Sequence, residues 1–194
     1  MKVKSLFYEK DKILNGPLLL NFEPINDSRG YFYEKWNKKS FLKIVSKEFN
    51  LVQENISKSH KGVIRGLHYQ IHPISQAKIV SCLKGEIFDV AVDIRRNSNT
   101  FGKWIGAFLN EENKSQLWIP IGFAHGFISL TEESIVNYKT NNYWSEPHER
   151  SILWNDKSIN IHWPIHLLGE TKPIISKKDK NARSLHQLSI DELL

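Results

Sequence analysis

Short stretches in which apolar and polar residues alternate dominate the chain, and they predict β-strands. In residues 86–94, the side chains of Phe88, Val90 and Val92 alternate with those of Asp89 and Ala91. A period of two residues places each set on one face of a strand. Similar runs occur at 18–22, 31–36, 51–57, 63–70, 77–83, 104–109, 115–119, 123–130 and 134–144. Many short strands separated by turn residues predict an antiparallel sandwich or barrel.

Helical spacing is found at one place. Phe41, Ile44, Val45 and Phe49 recur at intervals of three and four residues, which predicts a short helix over 40–48. From residue 145 onward the pattern is irregular, and we expect turns and short strands that pack on the barrel, with a peripheral C-terminal tail. Because the composition does not shift along the chain, we expect a single domain over residues 1–194.

The composition is that of a globular protein. Hydrophobic residues make up 40% and charged residues 25% of the 194 residues, which does not fit a disordered chain. Cys82 is the single cysteine, so neither a disulfide within the chain nor a cysteine-based zinc site is possible. No apolar run has the length of a signal peptide or a membrane-spanning helix. We therefore expect a cytoplasmic protein without a membrane partner.

The charge balance favours an anionic partner. The 27 Lys and Arg residues outnumber the 21 Asp and Glu residues, for a net charge of +6. A nucleic-acid binder usually clusters its basic residues, whereas here acidic residues are interleaved with them. We therefore expect no nucleic-acid partner, and a small molecule that carries phosphate is the better candidate.

Two histidine motifs resemble those of the cupin barrels. Residues 120–126 contain Pro-x-Gly-x-x-His, which ends in His125, and His68 lies in the segment Gly-Leu-His-Tyr-Gln. Metal-binding cupins carry a second histidine where this chain has Gln70, and a glutamate shortly after, which is missing here. A transition metal needs about three protein ligands, so we expect no metal. Either His125 only packs in the core, or His68 and His125 line a pocket for acid–base chemistry, which we favour.

Longer motifs identify a family. The chain is similar to the dTDP-4-dehydrorhamnose 3,5-epimerases from about Pro24 to Asp179. The motifs that carry this resemblance are Asp-Ser-Arg-Gly at 27–30, Arg-Gly-Leu-His at 65–68, Gly-Glu-Ile-Phe-Asp-Val-Ala-Val-Asp-Ile-Arg at 85–95 and Trp-Ile-Pro-Ile-Gly-Phe-Ala-His-Gly-Phe at 118–127. Their shared order makes the match specific. The resemblance implies an all-β, cupin-like jelly roll with one or a few short helices, and a homodimer in which N-terminal strands contribute to the interface.

The resemblance also implies a reaction. The substrate is a 4-keto-6-deoxy sugar on a dTDP handle, whose ketone acidifies the hydrogens on carbons 3 and 5. His68 matches the base and Asp179 the carboxylate that fixes its tautomer. Tyr138 matches the acid on the opposite face, and Lys78 the cation beside the developing enolate, where fixed positive charge is most effective. Such proton transfers need no cofactor.

Further residues match the family's substrate-binding positions. Arg29 and Arg65 match residues near the diphosphate, Tyr143 is the candidate to stack on the thymine, and His125 supports the pocket. Glu34, Gln53, Asn55 and Lys178 match other polar contacts. Strict alternation would put Arg65 and His68 on opposite faces of one strand, so we expect either a β-bulge at Gly66 or action of Arg65 across a subunit boundary.

Four departures from the family pattern leave fine specificity open. Ile56 replaces a frequent His, Ala77 a Gly, Ile121 a Glu and Trp144 a Tyr. Three alternatives therefore stay beside the 3,5-epimerase hypothesis. They are an epimerase that acts at one carbon or on a related sugar nucleotide, a non-catalytic sugar-binding cupin, and a metal-dependent cupin enzyme.

Overall fold

Two antiparallel sheets packed face to face form the body of the protein. The computed structural model describes residues 1–45 and 49–194. In that part of the chain the first sheet has the strand order β1–β2–β10–β7–β12–β5, and the second the order β13–β6–β11–β8–β9, with the short β14 parallel to β6. The strands are β1 Lys2–Glu9, β2 Lys12–Asn21, β3 Ile25–Asp27, β4 Gly30–Phe32, β5 Gln53–His60, β6 Val63–Gln70, β7 Lys78–Lys84, β8 Glu86–Asp93, β9 Trp104–Asn110, β10 Gln116–Ile119, β11 Phe123–Ser129, β12 Glu133–Thr140, β13 Glu149–Ser151 and β14 Ile174–Ile175.

This architecture confirms the predicted all-β, jelly-roll fold with few helices. The described residues include two α-helices, α1 Lys38–Val45 and α2 Lys177–Lys180, and 3₁₀ turns at Glu146–His148, Ile165–Leu168, Leu185–Gln187 and Ile190–Glu192. None of these helices is long and apolar enough to cross a membrane.

Strands β8 and β11 in the second sheet are buried on both faces. Ile87 and Ala91 of β8 belong to the core between the two sheets, whereas Phe88, Val90 and Val92 belong to a second core on the outer face. The second core is covered by the segment after residue 150, through side chains such as Ile152, Trp163, Leu168 and Leu185. The last residues, which we expected to be peripheral, also pack there through Leu193 and Leu194.

The outer face of the first sheet carries helix α1. Phe41 is buried and packs edge to face on Trp118 of β10, with ring centroids 5.0 Å apart. The predicted helix over 40–48 is present from Lys38 to Val45. The remainder of that prediction, 46–48, lies outside the described residues.

Two predicted strands extend beyond the strands that the structure forms. The run 134–144 ends as a strand at Thr140, because Asn141 and Asn142 turn the chain and bond to the backbone of Ala77 and Ser75. Of the run 31–36, the structure forms a strand only to Phe32, in a two-stranded hairpin with β3.

Two strands near the N-terminus were not predicted at full length. The pattern predicted a strand at 18–22, so β1 and residues 12–17 of β2 were not predicted. β1 pairs with β2 and is exposed over residues 2–5, and only Leu6 and Tyr8 in its second half are partly buried, so its alternation is short.

Candidate active site

A cavity of about 710 Å³ opens between the two sheets, a volume typical of a small-molecule site. Its walls come from β5, β7 and β12 of the first sheet and from β6 and β11 of the second. The four predicted catalytic side chains line it, His68, Lys78, Tyr138 and Asp179, and so do Gln53, Asn55, Arg65, His125 and Lys178 from the predicted binding set. Nine predicted residues from distant parts of the sequence therefore meet in one place.

A β-bulge brings Arg65 and His68 to this same cavity. His68 is opposite His125 and Arg65 is opposite Phe127, so Gly66 and its neighbour lie across from one residue of β11. Gly66 has a φ of +130°, and a Cβ there would lie 2.5 Å from the Cα of Gly126. Only glycine fits this conformation and this close approach. The bulge predicted at Gly66 is therefore confirmed in the structure.

His68 and Asp179 form a hydrogen-bonded pair in the wall of the cavity. The His68 Nε2 atom lies 2.7 Å from Oδ1 of Asp179, whose Oδ2 accepts a hydrogen bond from the backbone N–H of Gly66 at 3.3 Å. Ser176 caps helix α2 by accepting from the N–H of Asp179, which holds the carboxylate in place. With Nε2 bonded to the carboxylate, Nδ1 of His68 has no hydrogen-bond partner among residues 1–45 and 49–194 and can accept a proton from a ligand.

The acidity of Asp179 fits this role. Burial alone would raise its pKa, but the hydrogen bond and charge of His68, the Gly66 N–H and Ser176 outweigh it, so the pKa of Asp179 is lowered. The carboxylate is therefore ionised at neutral pH and can stabilise a protonated His68.

Lys78 supplies a positive charge beside this pair. Its side chain is buried, and its Nζ donates to the backbone carbonyl of His68 at 3.4 Å. Burial lowers the pKa of Lys78 to about 8 although the charges of Glu149 and Asp89 act against this shift. At pH 7 the ammonium is therefore still mostly protonated, and its low solvation makes it a strong partner for a developing oxyanion.

Tyr138 lies on the wall opposite His68. Tyr138 belongs to β12 of the first sheet, whereas His68 belongs to β6 of the second, and both side chains line the cavity. Burial raises the pKa of Tyr138, so the phenol keeps its proton across the physiological range. A proton acceptor and a proton donor therefore face each other across the cavity.

A second His–Asp pair is formed by His125, which lines the cavity, and the fully buried Asp89, which the sequence analysis missed. His125 Nε2 is 2.7 Å from Oδ1 of Asp89, and both side chains are buried. Burial lowers the pKa of His125 and raises that of Asp89. The signal for Asp89 was present in the sequence, because a carboxylate on the inward face of an otherwise apolar strand is unusual.

Glu149 is another cavity residue that sequence reasoning missed. It lines the cavity from β13 and forms an ion pair with Lys178. The pairing neutralises part of the positive charge of Lys178. Glu149 lies in the irregular part of the sequence, where no pattern marked it.

Three predicted binding residues lie outside the cavity of their own chain. The Arg29 side chain is 88% exposed and pairs with Asp27 at 2.6 Å in the β3–β4 hairpin. Glu34 accepts a hydrogen bond from Asn37 at 3.0 Å beside α1. Tyr143 is exposed, and the aromatic side chain that lines the cavity at this end is its neighbour Trp144, whose N–H bonds to Gln53.

The four departures from the family pattern have unequal consequences. Ile56 and Ile121 are exposed and do not line the cavity, and Ala77 presents its backbone N–H to Asn141. Trp144 alone among the four contributes to the cavity wall. Any effect on specificity is therefore concentrated at Trp144.

The position of the missing cupin histidine has a structural use. The Gln70 amide donates to the carbonyls of Ile74 and Tyr143 and accepts from the N–H of Ser145. Gln70 therefore ties the 71–76 loop to the turn after β12. Among residues 1–45 and 49–194, no group of three or more His, Cys, Asp and Glu side chains is arranged to hold a metal ion.

Comparison with known proteins gives one consistent family. The model of the dTDP-4-dehydrorhamnose 3,5-epimerases matches residues 11–187. A dTDP-4-dehydrorhamnose 3,5-epimerase from Shigella flexneri is 54% identical over 169 residues, which are 86% of this chain and 91% of the relative. One from Salmonella typhimurium is 48% identical over 90% of this chain and 93% of the relative.

Solved structures agree with these sequence matches. The Legionella pneumophila dTDP-6-deoxy-D-glucose-3,5-epimerase in complex with dTDP-4-keto-L-rhamnose superposes with a TM-score of 0.89 at 40% identity, over 99% of this chain and 97% of that one. A 3'-monoepimerase from Streptomyces bikiniensis in complex with dTDP-quinovose superposes with a TM-score of 0.82 at 30% identity, over 88% of this chain and 84% of that one.

Proposed function

The chain belongs to the dTDP-4-dehydrorhamnose 3,5-epimerase family, and we propose that it inverts carbons 3 and 5 of dTDP-4-keto-6-deoxy-D-glucose by proton transfer through His68 and Tyr138. The product would be dTDP-4-keto-L-rhamnose, on the route to dTDP-L-rhamnose. The observation that supports these roles is the placement of the His68–Asp179 pair and Tyr138 on opposite walls of one cavity, with the buried Lys78 beside the pair.

Each inversion follows from this geometry. His68 takes the proton from the carbon next to the ketone, and the electron pair of the broken C–H bond forms an enolate whose charge rests on the former ketone oxygen. Lys78 stabilises that oxygen. Tyr138 then gives its proton to the opposite face of the same carbon, and proton exchange with solvent restores both residues. The substrate is isomerised without change in oxidation state.

Proton exchange in deuterated water tests this function directly. We expect the protein to incorporate deuterium from solvent at both carbon 3 and carbon 5 of dTDP-4-keto-6-deoxy-D-glucose. Proton NMR follows this exchange as loss of the H3 and H5 signals. Tight binding of dTDP without any exchange would contradict the proposal and point to a sugar-binding protein.

A single-site epimerase is the second candidate. It is favoured by the similarity to the Streptomyces bikiniensis 3'-monoepimerase, which has the same fold at a TM-score of 0.82. The same experiment separates the two functions, because a single-site enzyme exchanges deuterium at one of the two carbons.

The pH dependence of the reaction should report Lys78. Its pKa of about 8 means that the ammonium loses its proton as the pH rises above this value. Since the cation stabilises the enolate, we expect kcat/KM to fall above about pH 8. Tyr138 has a raised pKa, so loss of its proton belongs to a higher pH. The measurement is a profile of kcat/KM from pH 6 to pH 10, which reports groups of the free enzyme.

A matched variant tests whether Lys78 causes the fall in kcat/KM above about pH 8. Lys78→Arg keeps a positive charge at every pH in the range, because a guanidinium does not deprotonate. We expect a lower maximum rate and no fall near pH 8. An unchanged fall in Lys78→Arg would show that another group is responsible.

We also propose that the protein is a homodimer in which the β3–β4 hairpin contacts the partner. The hairpin pairs with no other strand among the described residues, and its apolar side chains are exposed, with Ile25 and Phe32 each 71% accessible. Exposed apolar surface of this kind marks an interaction site. A partner would also explain why Arg29 lies outside the cavity of its own chain, if the hairpin reaches the partner's cavity.

Mixing of two impaired variants tests whether Arg29 contributes to the cavity of the partner subunit. We expect Arg29→Ala and His68→Ala each to be impaired, and a refolded equimolar mixture to regain activity in about a quarter of its sites, because a mixed dimer has one site free of both changes. Sedimentation velocity gives the oligomeric state independently. Activity of the mixture no greater than the mean of its components would contradict an exchange of Arg29 between subunits.

A cytoplasmic location is the last part of the proposal. It is supported by the single free thiol, Cys82, which suits a reducing compartment. Cell fractionation with detection of the tagged protein tests it.

A further inference from the structure

Ser57 of strand β5 carries a hydroxyl without a partner in the described part of the chain. Strand β5 turns alternate residues toward the inside, and Gln53, Asn55 and Ser57 all line the cavity. Gln53 bonds to Asn55 and to the N–H of Trp144. The Oγ of Ser57 is buried and has no hydrogen-bond partner among the described residues. A buried polar atom without a partner destabilises the folded state, and a ligand in the cavity that this residue lines would satisfy the hydroxyl once its side chain rotates toward it.

The neighbouring inward residue explains what kind of ligand to expect. Ser59 is buried, and its Oγ accepts a hydrogen bond from Nε of Arg65 at 3.0 Å. Arg65 Nη2 also donates to the backbone carbonyl of Lys58 at 3.1 Å. These two bonds hold the guanidinium against β5, and the remaining N–H groups of Arg65 are left for a ligand at the mouth of the cavity.

Ser57 and this fixed guanidinium lie side by side. Inward residues two apart on a strand are separated by about 7 Å. The guanidinium contacts β5 at the two residues that directly follow Ser57. One rotatable bond moves the Ser57 hydroxyl, so it can turn to a ligand without a change in the backbone. A cation and a neutral hydroxyl donor at this spacing suit neighbouring oxygens of an anionic group.

We propose that the Ser57 hydroxyl donates a hydrogen bond to a phosphate oxygen of the substrate's diphosphate, next to the oxygens that Arg65 binds. This inference rests on the proposed function, which supplies the nucleotide-sugar substrate. Ser59 acts as a positioning residue for Arg65, whereas Ser57 touches the ligand itself. The contact is the same in the ground state and the transition state, so it affects KM and leaves kcat nearly unchanged.

Binding of dTDP and of thymidine to Ser57→Ala separates the phosphate from the rest of the ligand. We expect the affinity for dTDP, measured by titration calorimetry, to fall about tenfold, since a hydrogen bond to a charged group is lost. The affinity for thymidine should not change. Ser57→Thr keeps the hydroxyl and should restore dTDP binding to near the wild-type value.

Ser151→Ala is the matched control. Ser151 also has a buried Oγ without a hydrogen-bond partner among the described residues, but it lies on β13 and does not line the cavity. Its removal should leave dTDP affinity unchanged, which shows that loss of a buried hydroxyl alone does not weaken binding.

Three results would overturn the inference. Unchanged dTDP affinity in Ser57→Ala would remove the contact, and an equal loss for dTDP and thymidine would assign it to the nucleoside. A fall in kcat with unchanged dTDP affinity would assign it to the sugar ring. Failure of the proposed function is seen separately, because it would show as absence of deuterium exchange in the wild-type protein.

Discussion

Replacement of His68 by alanine is expected to lower kcat/KM by about 10³-fold to 10⁴-fold, the upper part of the range for loss of a general base. Nδ1 of His68 is the nitrogen left free by the bond to Asp179, and we expect it to remove the proton. Without it, neither carbon 3 nor carbon 5 should exchange its hydrogen with deuterated water. The measurement is the rate of deuterium incorporation at each carbon by proton NMR.

A control variant and a binding measurement show whether His68→Ala loses proton transfer or loses substrate binding. His162→Ala removes an exposed histidine that packs against Trp104, far from the catalytic side chains in the fold, and should retain full exchange. In His68→Ala, dTDP should bind as in the wild type, because the imidazole is assigned to the sugar and not to the nucleotide. Exchange that continues at either carbon in His68→Ala would show that a different base acts there.

Asp179→Asn tests how the carboxylate of Asp179 acts on His68. The amide keeps the size of the carboxylate but removes the charge that stabilises a protonated His68, and it can present an N–H to Nε2. The wrong tautomer would then place a proton on Nδ1. A large fall in kcat with little change in KM is therefore expected from Asp179→Asn.

The strands that carry the site could be predicted from the sequence because their burial is regular. The run 63–70 agrees with β6 at both ends, and the alternation at 86–94 gave β8. A bulge at Gly66 was one of two alternatives, beside action of Arg65 across a subunit boundary, because Arg65 and His68 could not share a face on a regular strand. The structure resolves this conflict with a positive φ at Gly66.

Other features depended on contacts that no local pattern contains. β1 is exposed along most of its length, so its strand conformation comes from pairing with β2 and not from alternation. Glu149 reaches the cavity because β13 pairs with β6 across more than 75 residues of sequence. The assignment of Asp179 to His68 came from the resemblance to a family, since an aspartate in a lysine-rich run is usually a solvated charge.

The assignment of Tyr143 to the base stays a prediction. Tyr143 is exposed in the structure, and its neighbour Trp144, after the turn at Asn141 and Asn142, lines the cavity. A shift of one residue after a strand end changes which side chain faces inward. Such shifts are set by the turn, whose geometry the strand pattern does not determine.

Replacement of Tyr138 by phenylalanine is expected to separate proton exchange from inversion. Phenylalanine keeps the ring in the wall of the cavity and removes the proton that the phenol holds at neutral pH. His68 can still take a proton from the substrate, exchange it with solvent and return it to the same face. We therefore expect deuterium to enter the starting sugar while formation of the inverted product falls by about 10²-fold to 10³-fold.

The two rates must be compared in one sample. Deuterium in the unreacted substrate is measured by mass spectrometry, and the inverted product by the chemical shift of its H1 proton. Tyr8→Phe is the matched control, because Tyr8 lies on β1 outside the cavity, and both of its rates should equal those of the wild type. If exchange and inversion fall together in Tyr138→Phe, the phenol is needed for proton removal itself, and its role as the acid on the opposite wall is wrong. If exchange persists while inversion stops, the two opposed walls of the cavity act as separate proton acceptor and donor, which a single-residue mechanism cannot reproduce.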